Sequence, residues 1–258
     1  MQAVGINCIN GIFKGFKVKV AIITAIFKND LLGKYDDLKD PVTLNQKADF
    51  ICFTNQNLRS NIWNIIKPSE HLKYIGNVED LQERGILTAR FYKINHHRIK
   101  YLQNYNYTIW LDGSYQVLNK KFVSDSLKFM EKGDLALLLH HKRNTVKEEV
   151  DKINRLDKTG EGRFKNQGNI SSAQYSHYIK QGFLDKNNLY ATGYMVRNNQ
   201  NEKIKEFMDR WWKEVCKRSV RDQLSFPYIC WLLNFNPIVI GQHKQNRKIV
   251  GKIFPHNL

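Results

Sequence analysis

Three stretches of this chain are apolar on both faces of an extended backbone: VKVAIITAIF at 18–27, ADFICFTNQ at 48–56 and YTIWLDGS at 107–114. A strand with one wet face alternates apolar and polar residues, whereas one buried on both sides reads as a nearly continuous apolar run. Such strands belong inside a sheet that helices cover. Residues 84–102 supply a helical pattern, with Ile86, Leu87, Phe91, Ile94, Ile99 and Leu102 at helical spacing beside a dense basic face. The order strand, loop, strand, basic helix, strand predicts an α/β fold: a mixed, mostly parallel sheet flanked by helices.

The rest of the chain continues the theme. WNIIKP (63–68) reads as a short third strand, DLALLLHHKR (134–143) as a buried strand breaking into a basic loop, and LYATGYMVRNN (189–199) as another strand. EEVDKINRL (148–156) reads as a helix, as does ISSAQYSHYIKQG (170–182), with Gly182 at its C-cap. NEKIKEFMDRWWKEVCKRS (201–219) is amphipathic, with Ile204, Phe207, Met208, Trp211, Trp212 and Val215 on one side. RDQLSFPYICWLLNF (221–235) begins a buried helix whose start Pro227 restricts. Without repeats or a low-complexity linker, the 258 residues predict a short lead, 1–17, and a single domain, 18–258.

The formal net charge is +17, from 41 Lys and Arg against 24 Asp and Glu. That excess favours anionic partners, or it reflects a Lys-, Asn- and Ile-rich composition; both readings stand at this level. Four dispersed cysteines form no CxxC pair, and three lie in apolar surroundings, which suits reduced thiols rather than zinc ligands. The longest apolar run, VAIITAIF (20–27), is far below the roughly 20 residues of a membrane span. With no leader pattern visible, the expectation is a cytoplasmic protein, with peripheral membrane contact left open.

Two carboxylates carry the chemical question. Asp112 ends the apolar run YTIWL, and Asp112-Gly113 is either a two-residue hairpin turn or a strand-end carboxylate placed to hold a divalent cation and a diphosphate. Asp222 precedes a helical run, as an N-cap or as a general base facing a cleft. Arg90, Lys93 and His97 share a helical face and can converge on phosphates. His140, His141, Lys142 and Arg143 follow a buried strand, where phosphate or acceptor contact competes with a solvated loop. No dinucleotide fingerprint, P-loop, nucleophile elbow, H-E-x-x-H, zinc finger or RNP-type motif occurs, and nucleic acid is not the expected partner.

VAIITAIF, YDDLKDP, ADFICFT, AR-YK-N-H, YTIWLDGS, ATGYMVRNN, WW-E and RDQLSFPY, in that order over about 18–231, resemble a glycosyltransferase-like domain of unknown function. The family is shared by plant mucilage-synthesis and bacterial capsule-type proteins. The resemblance implies a GT-A-like fold, a nucleotide-sugar donor (UDP- or GDP-linked), a hydroxyl acceptor on a glycan or glycoconjugate, and Mn²⁺ or Mg²⁺. On it, Thr24 and Ala25 end the strand covering the nucleotide. Asp112 holds metal and diphosphate, followed by Gly113 and by Ser114, which stands where the second Asp of an Asp-x-Asp motif would be. Arg90 and Lys93 offset leaving-group charge. Asp222 deprotonates the acceptor in an inverting reaction or orients it in a retaining one. His140, Arg143, Gly193, Arg221 and Gln223 contact acceptor or sugar, and His256 is a last metal ligand. A non-enzymatic binder of acidic polymers and a lipid amidohydrolase are the alternatives.

Overall fold

The computed structural model describes residues 12–13, 16–27, 37–43, 47–76, 79, 81–160, 164–186, 188–242 and 252–253. In chain order its strands are β1 (Ile12–Phe13), β2 (Phe16–Lys17), β3 (Val20–Ile26), β4 (Asp49–Thr54), β5 (Asn64–Ile66), β6 (Tyr107–Leu111), β7 (Tyr115–Gln116), β8 (Leu135–Leu139), β9 (Tyr190–Asn198), β10 (Ile238–Gln242) and β11 (Lys252–Ile253). The helices are α1 (Leu72–Ile75), α2 (Leu81–Ile94), α3 (Phe122–Leu127), α4 (Val146–Lys158), α5 (Gln167–Lys180), α6 (Glu202–Lys217) and α7 (Asp222–Leu232).

Seven strands make one sheet in the order β10-β8-β9-β6-β3-β4-β5. β3 pairs parallel with β4 and β6, and β4 with β5, while β9 runs antiparallel between β6 and β8. This is the mixed, mostly parallel sheet that the apolar runs predict. One consequence decides where chemistry can sit. The C-terminal ends of β3, β6 and β8 and the N-terminal end of β9 share one edge.

Both sheet faces are dry, which explains why the strands do not alternate. Ala21, Ile23, Ala25, Trp110 and Met195 pack with Phe91 of α2, Trp211 of α6 and Phe226 of α7. Ile22, Ile26, Ile109, Leu111 and Val196 pack on the other side with Trp63 and Phe122 of α3. The six apolar residues expected on one side of α6 are all buried.

Several expectations are corrected. The helix read over 84–102 stops at Ile94, and 3₁₀ turns follow at His96–Arg98 and Lys100–Leu102. The Lys93 carbonyl, which a continuing helix would offer to the His97 amide, is taken by the Arg197 guanidinium. His97 consequently leaves the face of Arg90 and Lys93 and pairs with Asp209 at 2.7 Å. The hairpin reading of Asp112-Gly113 falls as well. β6 lies between β3 and β9, and the short strand after the turn, β7, pairs instead with β11. Pro227 lies inside α7 rather than setting its start. β10, absent from the sequence reading, closes the sheet beside β8.

Candidate active site

Asp112 follows β6 directly, and its N–H donates to the Gly193 carbonyl (2.9 Å), so the β6–β9 ladder carries it to the shared edge. The Tyr115 N–H donates back to the Asp112 carbonyl (2.9 Å), closing a turn over Gly113 and Ser114. Strand alternation puts Asp112 on the same face as Trp110, and the Trp110 indole N–H donates to Asp112 Oδ1 at 2.8 Å. β9 is irregular here. Its register with β8 shifts between Leu137, opposite Met195, and Leu138, opposite Ala191, which frees Thr192 and Gly193 from the β8 ladder. A Cβ on Gly193 would lie 2.9 Å from Asp112 Oδ2 and 3.0 Å from the Tyr115 hydroxyl, so only glycine lets the carboxylate lie there.

Asp222 arrives from the opposite direction as the first residue of α7. Arg221 is the N-cap and no side chain caps the helix, so the N-cap reading of Asp222 is corrected. Its carboxylate turns inward. Oδ2 accepts from Lys93 Nζ at 2.6 Å and from the Thr192 hydroxyl at 2.9 Å. Oδ1 lies 2.9 Å from Arg90 Nε as an ion pair; the contact is close but not aligned as a hydrogen bond. Lys93, from the last turn of α2, also donates to Thr192 (3.0 Å) and lies 3.5 Å from Asp112 Oδ1. The two carboxylates, 110 residues apart, therefore meet through one buried ammonium. Side-chain exposure separates their roles: Lys93 is 1% and Asp222 4% exposed, against 21% for Arg90 and 29% for Asp112.

Burial pushes the Asp222 carboxyl upward, but the charges of Arg90 and Lys93 and the hydrogen bonds from Lys93 and Thr192 outweigh it and bring its pKa down to about 2. Burial lowers the Lys93 ammonium, against the opposing pull of Asp112 and Asp222. The neighbouring Tyr115 phenol is pushed well up by burial and by the Asp112 charge. A general base serving neutral pH works best with a pKa near 7 and an open lone pair. In this arrangement Asp222 has neither.

The other predicted residues distribute around this cluster. Ala25 faces the α2 side of β3, while Thr24, buried with its hydroxyl lacking a hydrogen-bond partner, faces the other side by strand alternation. Ser114 is buried in the turn. His140 and Arg143 form their own group beyond β8: Arg143 Nη2 lies 2.9 Å from His140 Nε2, and its Nε pairs with Glu149. Arg221 stacks over Phe164 at 4.1 Å, and Gln223 donates to the Tyr190 carbonyl at 2.9 Å. His256 lies outside the described residues, three positions beyond β11, which pairs with Tyr115 and Gln116 just after the turn. Thr192, Trp110 and Tyr115 escaped the sequence reading. The signal for Thr192 was a hydroxyl in a strand otherwise built for burial.

The metal expectation has a specific answer in the donor set. Asp112 Oδ1 is engaged by Trp110 and Lys93, and the Asp222 oxygens face Lys93 and Arg90, which leaves Oδ2 of the partly exposed Asp112. Among the described residues no group of three or more His, Cys, Asp or Glu side chains could hold an ion. These residues fit a cation that arrives with a diphosphate and meets one carboxylate oxygen, not a cation the protein cages alone. A cavity of about 490 Å³ lined by Asp49, Asn61, Asn64, Tyr101 and Tyr105 opens at the start of β4, the far end of the strands from Asp112. It takes no part in this site.

The fold is that of a mixed α/β protein with a polar cluster at one edge of its sheet, and the family follows from the sequence. A family model described as "TOD1/MUCI70, glycosyltransferase-like domain" matches residues 13–254. The chain belongs to this glycosyltransferase-like family. A comparison with curated proteins finds no match. Among solved structures, mouse xyloside xylosyltransferase 1 in its apo form is similar with a TM-score of 0.43 at 8% identity, covering 86% of this chain and 84% of that one. Core-mannan synthase A from Aspergillus fumigatus, in an Mn/GDP form, has a TM-score of 0.39 at 10% identity, covering 87% of this chain and 68% of that one.

Proposed function

We propose that this glycosyltransferase-family chain moves a sugar from a nucleoside diphosphate donor, UDP- or GDP-linked, to a hydroxyl of a glycan or glycoconjugate at the Asp112 edge. The observation that carries the reading is that a partly exposed carboxylate, Asp112, and a partly exposed guanidinium, Arg90, are tied to one buried pair, Lys93 and Asp222. An anionic leaving group calls for fixed positive charge where its own charge develops, in a site that need not reorganise. Arg90 offers that charge at the opening. Lys93 lies too deep to touch the donor and acts by fixing Asp112.

Asp112 Oδ2 takes the donor side, receiving either a sugar or ribose hydroxyl or an Mn²⁺ or Mg²⁺ ion that accompanies the diphosphate. Such an ion would offset phosphate charge there. His256, following the strand that pairs beside the turn, is the candidate to add a second ligand. Gly113, Ser114 and Gly193 flank Asp112 on the donor side, where Gly193 would meet the sugar; Thr24 and Ala25, buried in β3, would support the nucleotide side by packing, and His140, Arg143, Arg221 and Gln223 are the candidates for acceptor or sugar contact. For Asp222 we favour an anchoring role for Lys93 and Arg90 over proton abstraction, because its oxygens are occupied.

Thermal shift against UDP-, GDP- and CMP-sugars, with and without Mn²⁺, tests the class. Stabilisation by one nucleotide sugar, lost in Asp112→Asn while the unliganded Tm stays within a few degrees, is the expected result. Equal indifference of both proteins to every nucleotide sugar would overturn it.

A further inference from the structure

Arg197 is the most anomalous charge among the described residues. It lies in β9 with no exposed surface, and no carboxylate is among its partners. Buried arginines are ordinarily paired, because an unpaired buried charge is costly. Here the guanidinium does something else. Nε donates to the Thr108 hydroxyl at 3.2 Å, Nη1 donates to the backbone carbonyl of Lys93, and Nη2 has no hydrogen-bond partner. Thr108 is oriented to accept, since its own proton goes to Asn199 Oδ1 at 3.0 Å, and Asn199 is tied to the Tyr105 carbonyl at 3.0 Å. Burial alone brings the Arg197 pKa down to about 9.

The carbonyl it grips belongs to the last turn of α2, where helix carbonyls lack intrahelical partners and the helix dipole is negative. That end serves as the counter-charge of Arg197. The same residue, Lys93, sends its side chain to Asp222, Thr192 and Asp112 at 2.6, 3.0 and 3.5 Å. A lysine head group can be held to such distances only if its backbone is fixed too. We propose that Arg197 is a positioning residue: it pins the Lys93 backbone from β9 so that the Lys93 ammonium bridges Asp112 and Asp222. Its importance for transfer rests on the function proposed above; its effect on Lys93 does not.

The test reads the position of Lys93 itself. In protein labelled with ¹³C at lysine Cε, and assigned with Lys93→Arg, the nuclear Overhauser effect between the Lys93 Cε protons and Thr192, whose hydroxyl lies 3.0 Å from Lys93 Nζ, is compared at pH 7 in wild type, Arg197→Met and Arg197→Lys. Arg197→Met exchanges a buried charge for an apolar chain and should stay folded by circular dichroism. Its Lys93–Thr192 effect should weaken several-fold as the ammonium loosens from its partners, with Arg197→Lys intermediate because it reaches one partner instead of two. Should Arg197→Met fail to fold, Arg197→Lys is read alone, with the same direction expected. A Lys93–Thr192 effect identical to wild type in a folded variant, or collapse of both variants, overturns the proposal. Loss of nucleotide-sugar binding with an unchanged Lys93–Thr192 effect would also reject it, while leaving the transferase reading in place.

Discussion

Asp222→Asn is the perturbation whose size the structure fixes best. The substitution keeps shape and removes charge from a carboxylate that is 4% exposed and faces Lys93 at 2.6 Å and Arg90 at 2.9 Å. Its folded pKa of about 2 lies below the model-peptide value of 3.8. Holding this carboxylate ionised therefore contributes on the order of 2–3 kcal/mol of stability at neutral pH. Because the variant leaves Lys93 with the longer contact to Asp112 as its one carboxylate, beside the Thr192 hydroxyl, the observed loss should exceed this and approach about 3–5 kcal/mol. The sign follows from the depressed folded pKa: the contribution is complete above the unfolded value and disappears as pH falls through the folded one. Urea unfolding of wild type and variant should therefore differ by a constant amount from pH 7 to about 5. The two curves should then converge between roughly pH 4 and 2. A variant as stable as wild type at pH 7, or a gap that persists unchanged to pH 2, would refute the ion-pair account of the site.

Other outcomes follow from single contacts. Gly193→Ala must push a Cβ against Asp112 Oδ2 and the Tyr115 hydroxyl, so nucleotide-sugar binding should fall at least tenfold with overall fold retained; unchanged binding would show that the carboxylate's position is immaterial. Thr145→Ala removes a capping box at the start of α4, expected to cost about 1 kcal/mol by chemical denaturation with no effect on the site. If the +17 charge were the functional feature, affinity for nucleic acid or acidic polysaccharide would collapse between roughly 50 and 200 mM salt and match no nucleotide-sugar preference. The site account expects the nucleotide-sugar effect to survive that change.

The sheet was legible because burial on both faces leaves short, nearly continuous apolar runs, and β-branched and aromatic content tells them from buried helix, as in VAIITAIF and YTIWL. β10 was not, since NPIVIGQ is short, begins beside a proline and sits at an edge. The overrun of α2 has a similar cause. Local spacing through Ile99 and Leu102 stays helical, while the competitor for the Lys93 carbonyl, Arg197, comes from a strand 104 residues away. At the site, Arg90, Lys93, Asp112 and Asp222 were each visible as residue types in telling places. What sequence could not show is which carboxylate turns outward. The sequence reading puts both at a cleft, with an N-cap as the other option for Asp222; packing of α7 against α6 and β9 turns Asp222 inward onto Lys93. A lone Arg in an apolar strand, as in GYMVRNN, is the kind of signal that deserved more weight, because a central strand rarely buries a charge without a task for it.

The most direct test uses the hydrogen bond from Trp110 to Asp112 as a reporter. In ¹⁵N-labelled protein the Trp110 indole N–H resonance, assigned by Trp110→Phe, is followed as UDP- and GDP-sugars are added. A saturable shift of that resonance with one of the two, alongside a still resonance of Trp63 in the opposite sheet face, is the result predicted here. Binding that moves Trp63 and leaves Trp110 untouched would place the donor elsewhere and contradict the account.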